Sequence, residues 1–102
     1  MGFTVVRYRT KPERADENQA FVEKVFGELD ANEPDGLRYM TFRLADGVTF
    51  VHVASIETPD GENPLAATAA FADFQREIAE RCDEGPFVTD ATAVGAYGFD
   101  RS

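Results

Sequence analysis

From Leu37 to Glu57 the chain reads LRYMTFR, then LADG, then VTFVHVASIE. Side chains along a strand point to opposite faces in turn, so these two runs predict paired strands. Asp46-Gly47 between them is a strong hairpin signal. A two-residue turn pairs Ala45 with Val48. Counting outward pairs Arg43 with Phe50, Thr41 with His52 and Tyr39 with Ala54. One face then carries Tyr39, Thr41, Arg43, Phe50, His52 and Ala54. The other carries Met40, Phe42, Leu44, Val51 and Val53. The second face is wholly apolar and is expected to lie under helices. The first mixes aromatic, cationic and imidazole groups. It is expected to be half covered, by a partner subunit or by a ligand.

Before the hairpin, Phe3 to Arg9 (FTVVRYR) predicts a first strand. Thr10-Lys11-Pro12-Glu13 matches a Ser/Thr-x-x-Glu capping box with proline in the first turn. The pattern predicts a helix from Lys11 to Ala31, with Ala15, Val22, Val25, Phe26 and Leu29 on one stripe and Asn18 among them. The cluster Asn32-Glu33-Pro34-Asp35-Gly36 ends it. After the hairpin, Asn63-Pro64 predicts an N-cap and a first helical proline. That helix is expected to reach Cys82, kinked near Thr68 to Ala70, with Ala67, Phe71, Phe74, Ile78 and Cys82 inward. Asp83 to Pro86 ends it. Phe87 to Phe99 is the last predicted strand, carrying Val88, Thr92, Val94 and Tyr97, with a bulge or close backbone approach at Gly95 and Gly98.

The order is therefore β-α-β-β-α-β. Hairpin adjacency and right-handed crossovers point to an α+β, ferredoxin-like sandwich, with two helices on one face of a four-stranded antiparallel sheet. The 102 residues form a single domain, 1–102. A chain of this size buries only about two-thirds of its unfolded surface. Face-to-face pairing of two sheets would cover the rest, which predicts a two-fold homodimer.

Charge narrows the partners. The formal net charge is −9, which disfavours nucleic acid and anionic membrane surfaces. The single cysteine, Cys82, excludes an internal disulfide and fits a reducing cytoplasm. No basic-then-apolar leader and no long apolar span appears, so the sequence predicts a protein neither secreted nor membrane-spanning.

Four stretches resemble the dimeric α/β-barrel superfamily, and within it the antibiotic-biosynthesis-monooxygenase-like proteins. They are Phe3 to Arg9, the strand Phe50 to Glu57 (FVHVASIE), the helix segment Ala70 to Phe74 (AFADF) and the closing Val94 to Phe99 (VGAYGF). The resemblance implies a dimeric α/β barrel. Its relatives include cofactor-free oxygenases of polycyclic phenols, haem-degrading enzymes and oxidases of signalling aldehydes. Several of those enzymes carry a histidine where this chain has Ala70. Haem-degrading members use a tryptophan, and this chain has none. The chain thus departs from the family at the two positions that best signal haem chemistry, which counts against haem degradation and favours a binding or structural role; no cofactor is expected.

The catalytic candidates are His52 and Asn18. His52 is the only histidine, and its ordinary pKa near ~6.5 suits a base for a phenolic proton. Asn18 can orient a substrate oxygen or stabilise an anion. The competing uses are a hydrogen-bonded structural imidazole and a wetted helix amide. Tyr8, Tyr39 and Arg43 are candidate polar contacts to a substrate, with Arg7 and Tyr97 behind them. The arginines compete with salt bridging to the nineteen acidic residues. Phe42, Phe71 and Phe74 are candidate walls of a flat aromatic pocket, or simply core. Cys82 near a helix C-terminus, beside Glu80, Asp83 and Glu84, lacks the setting of a reactive thiolate. No His/Cys/carboxylate set has metal-ligand spacing.

Two readings follow. In one, the chain oxidises a small aromatic or quinone-like substrate without a cofactor. In the other, the same dimeric scaffold binds a small molecule or is purely structural. Isomerase or cyclase chemistry, which needs a base but no oxygen, is a third.

Overall fold

The computed structural model describes residues 2–59 and 61–98. Strand β1 spans Gly2–Thr10 and is followed by a 3-10 turn, Pro12–Arg14. Helix α1 spans Ala15–Asn32. Strands β2 (Leu37–Arg43) and β3 (Thr49–Ile56) form the hairpin. A 3-10 turn at Pro64–Ala67 leads to α2 (Ala69–Gln75), α3 (Ile78–Arg81) and β4 (Cys82–Thr92). The sheet order is β2-β3-β1-β4, every pair antiparallel. This is the ferredoxin-like arrangement expected from the element order.

The hairpin register is as predicted: Arg43 opposes Phe50, Thr41 opposes His52 and Tyr39 opposes Ala54. The turn itself is longer than two residues. Leu44 N–H donates to the Thr49 carbonyl, and Ala45 and Val48 lie outside the ladder. Asp46 holds this loop by accepting from the Thr49 hydroxyl and from the Thr49 and Val48 N–H groups. Those bonds, the hydroxyl first, bring its carboxyl down to about 2. Gly47, at φ +79°, supplies the left-handed residue the turn needs.

Which face the helices cover is the reverse of the expectation. Tyr8, Phe50 and His52 face α1 and α2 and are buried, with Tyr39 half-buried beside them. Met40 and Phe42, each 47% exposed, stand on the open face with Val51 and Val53. Alternation fixes which residues travel together but not which set goes inside. The mixed set can go inside because its polar tips satisfy one another and helical partners. No buried side-chain nitrogen or oxygen lacks a partner among the described residues.

Ala15, Asn18, Val22 and Val25 form the buried stripe of α1, as the spacing predicts. Val25 and Phe50 are each 1% exposed, and burying such side chains stabilises the fold by about 2 kcal/mol apiece. The helix starts four residues later than expected. Thr10 does not cap it: its hydroxyl and N–H both donate to the Val48 carbonyl and close β1 against the hairpin.

The second helical region is broken twice. Asn63 accepts from Leu65 N–H, the expected cap, but of a 3-10 turn. Thr68 is extended and restarts the helix by accepting from Phe71 N–H. Glu28 of α1 also accepts from the N–H groups of Ala69 and Ala70, tying the start of α2 to α1. The second break, at Glu77 (φ +65°), was not foreseen. Strand β4 begins at Cys82 rather than Phe87, so Asp83 to Pro86 lies within it, with register shifts opposite Arg7 to Thr10. It ends at Thr92. Val94 and Tyr97 stand beyond it, fully exposed, and so do Gly95 and Gly98. The predicted end of that strand at Phe99, and the tail after it, fall outside the described residues.

Candidate functional site

The helix-facing side of the sheet and the inner side of α2 and α3 line a partly open cavity of about 240 Å³. Its walls are mostly apolar: Val6, Ala54, Ile56, Leu65, Phe71, Phe74, Ile78 and Val88. Its polar lining is Tyr8, Tyr39 and His52, which cluster together, with Thr4, Asn63 and Gln75 elsewhere on the wall. Register explains the convergence. Tyr8 sits beside Phe50 on the β1–β3 pair, and Val6 sits opposite His52, so Tyr8 and His52 are diagonal neighbours on one face.

These groups form one hydrogen-bonded chain. Arg81 Nε–H donates to Asn18 Oδ1 at 3.0 Å, and Asn18 Nδ2–H donates to Tyr8 Oη at 2.8 Å. Tyr8 Oη lies 2.8 Å from His52 Nε2. His52 Nδ1 lies 2.5 Å from Tyr39 Oη and 3.1 Å from Thr41 Oγ1. Aromatic rings hold the chain in place. Phe50 stacks on Tyr8 at 5.6 Å, Phe26 stacks on Tyr39 at 4.9 Å, and Phe74 packs 5.3 Å from the imidazole.

Arg81 is the unusual member. It is 1% exposed, yet its hydrogen bonds are to neutral oxygens: Asn18 Oδ1, the Phe74 carbonyl at 2.5 Å and the Arg76 carbonyl at 3.2 Å. The Phe21 and Phe74 rings lie 4.6 and 5.4 Å from its guanidinium carbon. Its side chain locks the break between α2 and α3, because those two carbonyls stand at the end of α2.

Burial sets the protonation states. It lowers the His52 pKa to about 4, so the imidazole is neutral near pH 7. Burial raises the Tyr8 and Tyr39 phenols, partly opposed by hydrogen bonds from Asn18 and Thr41 respectively. The Cys82 thiol is buried and raised by that burial. Among the described residues, no three His, Cys, Asp or Glu side chains converge as a metal site.

Of the residues singled out from sequence, His52, Asn18, Tyr8, Tyr39, Phe71 and Phe74 come together at or just behind this cavity. Phe42 does not: it points from the opposite face of the sheet. Arg43 lies at the hairpin end, bonded to Asp16, Gln19 and the Gly47 carbonyl, and packed on Phe50. Arg7 is on the open face of β1, and Tyr97 is 96% exposed. Sequence reasoning missed Arg81 and Thr41. Arg81 carried a readable signal, since it continues the stripe of Phe71, Phe74 and Ile78 at helical spacing.

No protein-family profile matches the chain, and no curated protein matches it. Solved structures share its fold. Rv0793 from Mycobacterium tuberculosis superposes with a TM-score of 0.73 at 16% identity, over 93% of this chain and 96% of that one. A structure described as an antibiotic biosynthesis monooxygenase gives 0.73 at 20% identity, over 93% and 100%. NE2512 from Nitrosomonas europaea, a protein of unknown function, gives 0.71 at 15% identity, over 98% and 95%. The likeness spans the chain and is one of fold: the architecture is that of the antibiotic-biosynthesis-monooxygenase-like structures.

Proposed function

We propose that this protein oxidises a small aromatic, phenolic or quinone-like molecule without a cofactor, inside the cavity beside His52. The observation that carries this reading is the cavity's makeup: a mostly apolar, aromatic-rich lining with the Tyr39, His52 and Tyr8 cluster set into it. A resemblance to oxygenases on this fold supports it. With a pKa of about 4, His52 is a weak terminal base. Its part in this reading is to hold Tyr39, whose hydroxyl stabilises the phenolate or enolate that forms when the substrate gives its proton to water. That anion is electron-rich enough to react with dioxygen directly. For an anthrone-type substrate, a ring-flanked CH2 becomes a carbonyl. One oxygen atom enters the product, the other leaves as water, and the substrate supplies all the electrons.

Oxygen uptake with a hydroxylated anthrone tests this. Tyr39→Phe is expected to lower the rate roughly 100-fold, the usual scale for one oxyanion donor. Equal rates in wild type and variant remove Tyr39 from the chemistry. A specific observation favours the second reading, a non-catalytic binding protein: both imidazole nitrogens already have protein partners. Tight binding of the anthrone without oxygen uptake selects it.

The same proposal includes a homodimer, built on the open sheet face rather than on the face expected from sequence. Met40, Phe42, Val51 and Val53 form an apolar patch there, with Phe87 (67% exposed) beyond β1. Phe42→Asp is expected to convert a wild-type dimer to monomers in sedimentation. A monomeric wild type at micromolar concentration rejects the dimer. The lone cysteine is in keeping with a reducing, cytoplasmic setting.

A further inference from the structure

The hydrogen-bond chain has a direction, and Arg81 sets it. A guanidinium only donates. Its Nε–H therefore fixes the Asn18 amide with Oδ1 toward Arg81 and Nδ2 toward Tyr8. The Tyr8 oxygen accepts from Asn18, and donation of its own O–H to His52 Nε2, 2.8 Å away, is the arrangement that leaves neither group of that pair idle. Nε2 is then bare, and the one proton of the neutral imidazole sits on Nδ1. Nδ1–H faces two hydroxyls, those of Tyr39 and Thr41. The three groups hold three protons. Nδ1–H is shared by the two hydroxyl oxygens. Neither hydroxyl can donate to a nitrogen that is already protonated, so both hydroxyl protons are left for other acceptors. Of the two side chains, Tyr39 lines the cavity and Thr41 does not.

We propose that the Tyr39 hydroxyl proton is the recognition element of the cavity. It selects a small aromatic ligand presenting a bare acceptor oxygen, a ketone or quinone carbonyl or a phenolate, to Tyr39 Oη. Arg81 and Asn18 are positioning residues that fix the polarity from the far end of the chain. The inference rests on the cavity being the ligand site and adds which atom of the ligand is read. A chain running the other way would leave a bare acceptor at the cavity and would select ligand hydroxyl or amine donors instead.

With a single histidine in the chain, one long-range proton–nitrogen NMR spectrum of the imidazole reports the tautomer. In the wild type at neutral pH the proton is expected on Nδ1. Asn18→Asp should invert it. The carboxylate pairs with Arg81 and accepts the Tyr8 O–H, so Tyr8 turns to accept from Nε2–H, leaving Nδ1 bare. The probes for binding are α-tetralone, which carries only an acceptor oxygen, and tetralin, which has none. Wild type should bind the ketone roughly tenfold more tightly, the scale of one good hydrogen bond. Asn18→Asp should lose that preference. A purely structural Asn18 would leave the tautomer unmoved. A wild-type proton on Nε2, or on both nitrogens, overturns the proposal, and so does equal binding of the two probes. The wild-type measurements decide the matter even if the variant does not fold. Oxygen uptake is read separately, so its absence removes the oxygenase reading and leaves these results standing.

Discussion

Taking the protein from neutral pH to about pH 4 is expected to remove about 3 kcal/mol of stability through His52 alone. The unfolded imidazole takes up a proton near its ordinary value of ~6.5. The folded one resists until about 4, because burial disfavours the cation. Between those values the unfolded state holds more protons, so stability rises with pH across the window. The contribution is fully present above about 6.5 and is lost as pH falls toward the folded value. At 5% exposure, solvent screens little of this. Nineteen acidic groups titrate in the same range, so the measurement is a comparison. Urea unfolding of wild type and His52→Gln, at one protomer concentration, should show the stability gap closing by about 3 kcal/mol from pH 7 to pH 4. Parallel pH profiles would show that the ring is not held neutral by its surroundings.

Replacing Arg81 with methionine is expected to cost about 3 to 5 kcal/mol. The stem survives, but Asn18 Oδ1 and the Phe74 carbonyl lose their donor in a buried place. The Phe21 and Phe74 rings lose the cation between them. Lysine keeps the charge but not the planar fork that reaches three oxygens at once, so Arg81→Lys should recover less than half of the loss. Against a total stability of roughly 5–15 kcal/mol for a domain this size, the methionine variant sits near the edge of folding. Its thermal midpoint should fall by roughly 12 °C or more. A drop of only a few degrees would mean the guanidinium is replaceable by water.

These two residues also mark how far the sequence could be read. The hairpin register followed from alternation and Asp46-Gly47, and it survived a longer loop because Leu44 and Thr49 close in the same phase. The α1 stripe, including Asn18, followed from helical spacing. The choice of buried face did not. A face with Arg43 and His52 does not read as helix-covered core unless one knows that Asn18 and Tyr8 arrive from other elements to satisfy the imidazole. Arg81 lies on the readable stripe of Phe71, Phe74 and Ile78, but its charge argues against burial there. Next to Glu80, Asp83 and Glu84 it looks like surface charge. Its burial depends on the Glu77 break, which aims the Phe74 and Arg76 carbonyls at it. The start of β4 was misplaced because Asp83 to Pro86 carries every mark of a loop, and only pairing with Arg9 and Thr10 makes it a strand.

Strand β2 is an edge strand, bonded on one side only, to β3. Tyr39 and Thr41 alternate along it with Met40 and Phe42. A slip of one residue would send both hydroxyls to the outer surface and put a thioether and a phenyl ring against the imidazole. A one-residue slip therefore abolishes the site rather than weakening it. The Asp46 clasp at the hairpin tip, far from the cavity, thus guards the alignment on which its polarity depends.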